Sequence, residues 1–142
     1  MVRVGLVGCG TIGSQLALAV QRKYAAVAKM SGLHDADRAH AAALQHRLRS
    51  HPPILSLPAL IRRSHLVIEA ASAGIALEVV QRALRAKRSV LVMSVGGLLR
   101  SSSWQRLARR SGATVYIPSG ALAGLDGVKA MAVGRIRHVS LT

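Results

Sequence analysis

Val2-Arg3-Val4-Gly5-Leu6-Val7-Gly8-Cys9-Gly10-Thr11-Ile12-Gly13 decides the fold. Its first half is an apolar run bounded by glycine and reads as a buried strand. From Thr11 to Tyr24 the chain reads as a helix, because Ile12, Leu16, Ala19 and Val20 recur at helical spacing and form one apolar face. The turn between them has the pattern G-x-G-x-x-G. Gly8 permits a tight turn, Gly10 lets a backbone approach a pyrophosphate with no side chain in the way, and Gly13 lets the helix pack close to the strand. The N–H groups that open the helix at Thr11 and Ile12, together with its dipole, favour negative phosphates. Alone, such a pattern is also compatible with a glycine-rich structural turn. Set between a strand and a helix, it points to NAD or NADP, with Gly8, Cys9, Gly10, Thr11, Ile12 and Gly13 as cofactor contacts.

Downstream the same alternation repeats. A strand fits Ala26 to Leu33 and a helix Ala36 to Arg49, stopped by His51-Pro52-Pro53. Leu57 to Arg63 fits a short helix, and His65 to Ala70 a third strand. A helix opened by Ser72 or Gly74 runs to about Ala86, followed by a strand over Ser89 to Met93. Ser101 to Ser111 is a helix capped by one of its leading serines and stopped by Gly112. Thr114 to Ile117 is a strand, 121–132 a short helix and 135–141 a last strand. Short apolar strands alternating with helices predict an α/β fold: a Rossmann-like, doubly wound, mostly parallel sheet with helices on both faces.

Asp35 lies 22 positions after Gly13, just past the second strand, where a carboxylate bonds the ribose 2′-hydroxyl of NAD. Asp37 is a second candidate, and either acid could instead cap the next helix. Arg38 could meet the 2′-phosphate of NADP, so cofactor preference stays open. Glu69 ends a strand and reads either as a functional carboxylate or as a helix-start acid. Ala71 and Ser72 behind it, and Ser94 with Gly96-Gly97 after the next strand, line the same crevice at the carboxyl ends of the strands. So does Pro118-Ser119-Gly120-Ala121. Cys9 reads as a small buried residue rather than a nucleophile.

Composition bounds the rest. The chain has 142 residues, 51% of them hydrophobic, which is one domain with a real core. Net charge is +15, from 20 Lys+Arg against 5 Asp+Glu. The basic residues are dispersed in pairs such as Arg22-Lys23 and Arg109-Arg110, and only Tyr24, Trp104 and Tyr116 could stack on bases. A solvated basic surface is therefore preferred to a nucleic-acid site. A single cysteine excludes an intrachain disulfide and fits a reducing compartment. The six histidines show no metal-ligand spacing, and no apolar run reads as a signal peptide or membrane span, so the expected setting is the cytoplasm.

The segment Pro118-Ser119-Gly120-Ala121-Leu122-Ala123-Gly124-Leu125-Asp126 resembles the hallmark segment of L-aspartate dehydrogenases. Glu69-Ala70-Ala71-Ser72 and Val92-Met93-Ser94-Val95-Gly96 are similar to two further segments of that family at matching places. The sequence departs from the family at Ala123, where glycine is frequent, and at Leu99-Arg100, where a small-plus-acidic pair is frequent. The resemblance implies an enzyme that uses NAD or NADP to interconvert L-aspartate with iminoaspartate or oxaloacetate plus ammonia. It implies that this half holds the cofactor, with Gly120 and Ala121 by the nicotinamide end. It also implies a second domain, entered through 119–142, that supplies the catalytic histidine, much of the substrate pocket and an oligomer interface. None of the six histidines matches the catalytic one by motif, so no catalytic residue is assigned in this chain. The expected partners are L-aspartate and either a second copy or a complementing substrate-domain chain. The alternative is a non-catalytic NAD(P)-binding module, or a decayed or truncated enzyme. If a second domain covers part of this one, an apolar patch is expected near 119–142.

Overall fold

The structure is a computed structural model that describes residues 1–118. The elements expected over 121–132 and 135–141, together with Gly120, Ala121 and the apolar patch expected near 119–142, lie outside the described residues. The described chain runs β1 (Val2–Val7), α1 (Thr11–Lys23), β2 (Ala28–His34), α2 (Arg38–Arg47), α3 (Leu57–Arg63), β3 (Leu66–Glu69) and α4 (Ala73–Arg85). Then come β4 (Ser89–Val92), a 3-10 turn (Val95–Arg100), α5 (Ser103–Ser111) and β5 (Val115–Tyr116). The strands form one five-stranded sheet in the order β2-β1-β3-β4-β5, and every pairing is parallel. The fold is the doubly wound α/β fold expected from the alternation of elements.

Two apolar clusters sandwich the sheet. Leu6 and Ile68 on one face pack with Ala17, Leu18 and Leu44 of α1 and α2. Val7, Val67 and Val90 on the other pack with Leu60 of α3 and Val79 and Val80 of α4. Adjacent residues of a strand thus serve opposite cores, as the two-residue period of a strand requires. This is why the strands read as continuous apolar runs rather than as alternating ones.

Local hydrogen bonds explain where the element boundaries differ from expectation. β2 begins at Ala28 because Val27 and Ala28 donate their N–H groups to the Tyr24 carbonyl at 2.9 and 2.8 Å, closing a turn first. α2 begins at Arg38 because Asp37 occupies the cap position and its carboxylate accepts the Ala39 N–H at 2.8 Å. The helix also stops earlier than its prolines demand, because Leu48 takes up extended backbone and is fully buried. Beyond it, Leu33 donates to the Pro53 carbonyl at 2.9 Å and accepts from the Leu55 N–H at 2.8 Å. A proline is tolerated there because this segment lies along the outer edge of β2 and Pro53 contributes only its carbonyl.

Strand order fixes where a ligand can sit. β1 pairs with β2 on one side and with β3 on the other, so the winding reverses between β1 and β3. In doubly wound sheets the carboxyl ends of the strands part at such a switch point and leave a crevice. No helix among the described residues is long and apolar enough to cross a membrane.

Candidate functional site

The crevice at the switch point is a cleft of about 310 Å³ lined by Val7, Gly8 and Gly10 from the first turn, by His34, Asp35, Ala36 and His40, and by Ala70, Ala71, Ser72 and Ile75. Its floor is the glycine turn. Gly8 has φ +92°, and a Cβ there would meet the Ala70 and Ala71 backbone at 2.6 Å, so only glycine fits between β1 and the chain leaving β3. A Cβ on Gly13 would collide with the Gly8 carbonyl oxygen, so α1 begins directly against the end of β1. Gly10 differs: a Cβ there would meet nothing within 4 Å. The protein leaves that space open, and it faces the cleft.

Backbone and side-chain bonds hold the turn. Gly8 donates its N–H to the His34 carbonyl at 2.9 Å, and the buried Ser14 hydroxyl donates to the Cys9 carbonyl at 2.9 Å. The N-terminus of α1 carries no capping side chain and no acid in its first turn. The leading N–H groups of a helix have no partner within it, and the dipole there is positive. Open space at Gly10 beside an uncapped, 13-residue helix is a cradle for an anion.

Asp35 closes the cleft opposite. One carboxylate oxygen accepts the Cys9 N–H at 2.6 Å and the other accepts the Asp37 N–H at 2.8 Å. The side chain remains 14% exposed and lines the cleft. An ionised carboxylate has about four lone-pair sites, so two backbone bonds leave acceptor capacity for hydroxyl groups of a ligand. The two acids therefore divide the roles that spacing left open: Asp37 caps α2, and Asp35 faces the cleft. His40, on the first turn of α2, stands 4.0 Å from Asp35 and 3.9 Å from Asp37. Sequence reasoning passed over His40. Its position three residues after the capping acid was the available signal, since such spacing turns a side chain back toward the cap.

The remaining expected positions separate. Ala71 and Ser72 line the cleft. Thr11 and Ile12 are exposed on the first turn of α1, and Arg38 is exposed at the start of α2, all outside the cleft lining. Ser94 lies one strand away. Glu69 fits neither of its expected roles: it is fully buried, and its two oxygens accept the Ala71 N–H at 2.9 Å and the Ser94 N–H at 3.1 Å. It braces the ends of β3 and β4 and so holds the cleft wall at Ala71. Cys9 is the small buried residue expected. Burial, and then the Asp35 carboxylate, push its thiol from an ordinary 9.0 up to about 12, so it stays protonated at neutral pH. No cluster of three or more potential metal ligands occurs among the described residues.

Comparison with known proteins identifies the type of domain. The profile of the homoserine dehydrogenase NAD-binding domain family matches residues 8–118. All of the chain aligns with the L-aspartate dehydrogenase of Methanocella arvoryzae at 37% identity, covering 53% of that protein. It aligns likewise with the L-aspartate dehydrogenase of Methanosarcina barkeri at 35% identity, covering 54% of it. The chain thus spans about half the length of the curated relatives it matches. A homoserine dehydrogenase from Thiobacillus denitrificans superposes with a TM-score of 0.74 at 18% identity, over 92% of this chain and 32% of that one.

The glycines give a paired test. Gly13→Ala is expected to cost roughly 1–3 kcal/mol in urea unfolding, as overpacking does. Gly10→Thr is expected to shift stability by less than about 0.5 kcal/mol, because threonine caps helices about as well as glycine. The same variant should nonetheless weaken NADH binding by about tenfold or more, because a side chain fills the cradle. Cys9 gives a pH test. Its folded thiol holds a proton that the unfolded thiol releases above about pH 9, so the folded state loses stability as pH rises from there toward 12. Thermal melts at pH 8 and 10.5 should show a larger fall for the natural protein than for Cys9→Ala; equal falls would contradict the assignment.

Proposed function

The chain belongs to the homoserine dehydrogenase NAD-binding domain family, and on that premise we propose that it is the cofactor half of an L-aspartate dehydrogenase with a preference for NAD over NADP. The observation that carries the reading is the cleft at the switch point, bounded by the glycine turn and by Asp35. The leading N–H groups of α1, at Thr11, Ile12 and Gly13, hold the pyrophosphate, and Gly10 leaves it room. Asp35 accepts the hydroxyl groups of the adenosine ribose, while its bond to Cys9 keeps the carboxylate aligned. Ala71 and Ser72 wall the cleft, and Ser94, Gly120 and Ala121 are assigned to the nicotinamide end. The bound nicotinamide supplies the hydride acceptor.

The preference for NAD follows from charge. Among the described residues the cleft lining contains the Asp35 carboxylate and no lysine or arginine. A 2′-phosphate beside that carboxylate is a like-charge contact, which costs several kcal/mol where no cation intervenes. Arg38 is exposed beside the cleft and becomes useful to a 2′-phosphate once the carboxylate is removed.

L-aspartate as substrate rests on the similarity to the archaeal L-aspartate dehydrogenases over the whole chain. Its oxidation yields iminoaspartate, which water converts to oxaloacetate and ammonia. Hydride transfer needs the amino acid held against the nicotinamide, and the described cleft contains no group placed to do so. The substrate-holding groups and the proton acceptor are assigned to a second domain, on a longer form of this chain or on a complementing chain. Exposed apolar surface supports such a neighbour: Leu99 is 89% exposed, and Ile117 lines the same depression as Leu98, Leu99 and Trp104. The free, buried Cys9 fits a cytoplasmic setting.

Fluorescence titration is expected to give NADH at least about tenfold tighter binding than NADPH, and Asp35→Ser should erase most of that ratio. Failure to bind either nucleotide overturns the reading. Reduction of NAD on addition of L-aspartate together with a substrate-domain chain supports the enzyme, while binding with no turnover in that mixture favours a non-catalytic module.

A further inference from the structure

The basic residues, dispersed in sequence, converge in the fold. In a doubly wound parallel sheet each helix runs opposite to the strands, so every helix ends at the edge where the strands begin, away from the cleft. All five α-helices among the described residues end on cations: Arg22 and Lys23, Arg47 after His46, Arg62 and Arg63, Arg82 and Arg85, and Arg109 and Arg110. The connections at that edge add Arg49, Lys87 and Arg88, and the start of β1 adds Arg3. The acids among the described residues do not follow. Asp35, Asp37 and Glu69 stand at the cleft end, and Glu78 is paired with Arg82 at 2.8 Å.

Helix dipoles account for part of this. Each helix C-terminus carries roughly half a negative charge, and a cation beside it is favourable. One or two full charges per helix, with the loop arginines besides, exceed that compensation. On the same edge, desolvation first and then Arg3, Arg88 and the N-terminal ammonium hold the His65 pKa below its usual value.

We propose that this edge binds the phosphate backbone of duplex nucleic acid without reading its sequence. Two depressions supply the contacts. One of about 280 Å³ is lined by Gln21, Arg22, Arg47 and Arg49, where the ends of α1 and α2 meet. The other, of about 620 Å³, has Arg62, Arg82 and Arg85 around apolar Ile61 and Pro58, with Glu78 the one acid, paired to Arg82. Both are dominated by arginine, whose planar fork takes phosphate oxygens in pairs. Backbone binding needs no aromatic platform, so the scarcity of aromatics that argues against single strands does not bear on a duplex. An anionic bilayer is the competing occupant, since Met1, Val2, Tyr24 and Val27 are exposed at the same end. Arginine rather than lysine lines both depressions, and its planar fork is the better match to the phosphates of nucleic acid.

The test is fluorescence anisotropy of the full chain with a labelled 20-base-pair duplex of mixed sequence. Binding is expected to weaken by about 50-fold or more between 50 and 200 mM salt, as neutralisation of several phosphates requires. The triple variant Arg22→Ser/Arg47→Ser/Arg49→Ser should weaken it by about tenfold at low salt and leave NADH affinity unchanged. Arg100→Ser, in the 3-10 turn at the cleft end, should have less than about a third of that effect. If the triple variant does not fold, Arg62→Ser/Arg85→Ser takes its place with the same expectation. No binding at 50 mM salt, equal losses from the edge variant and from Arg100→Ser, or capture by phosphatidylserine vesicles in place of the duplex would each overturn the proposal.

Discussion

The contact between Gly8 and Gly13 governs the molecule. The Gly8 carbonyl oxygen lies where a Cβ of residue 13 would have to be, so α1 starts immediately where β1 ends. The uncapped N-terminus of the helix is thereby fixed at the carboxyl edge of the sheet, beside the point where the winding reverses. Gly8 meets the same restriction from the other side, against Ala70 and Ala71, which sets how closely β3 approaches β1. The turn therefore positions both walls of the cleft and leaves Gly10 as the gap between them.

Carboxylates complete that arrangement in two different ways. Asp35 ties the end of β2 to the turn through the Cys9 N–H and still presents itself to the cleft. Glu69 is withdrawn from solvent and joins β3 to β4 through two backbone N–H groups. Each satisfies orphan amide donors that a strand end leaves in a parallel sheet, which an interior cannot leave unpaired without cost. Of these two, only Asp35 keeps exposed surface, so only Asp35 is available to a ligand.

Much of this was legible in the order of residues. The alternation of apolar runs and helical faces gave the sheet and its layers, because parallel strands buried on both sides are apolar throughout. The glycine spacing placed the turn, and the 22-residue step placed Asp35, where the structure has them lining the cleft. Other features were not legible. Glu69 stayed open between a functional carboxylate and a helix-start acid, because a strand-end position suits both and its burial shows only in the structure. The approach of His40 to Asp35 depends on where α2 starts, which the Asp37 cap decides. The 3-10 turn over Val95–Arg100 has no periodic signal, and the packing of Gly97 on α4 holds it in place. The charge polarity was hidden for a different reason. Helix ends recur at intervals of some tens of residues, so cations that share one edge look scattered until the topology is known.

The central claim is that the anion cradle of α1 and the Asp35 carboxylate belong to one nucleotide site. Titrating NAD into the ¹⁵N-labelled chain and following its amide resonances tests this directly. The largest shifts should fall on Cys9, Gly10, Thr11, Ile12, Asp35 and Ala71, and should saturate together with a single affinity. Shifts confined to other parts of the chain, or shifts at the turn without any at Asp35, would contradict it.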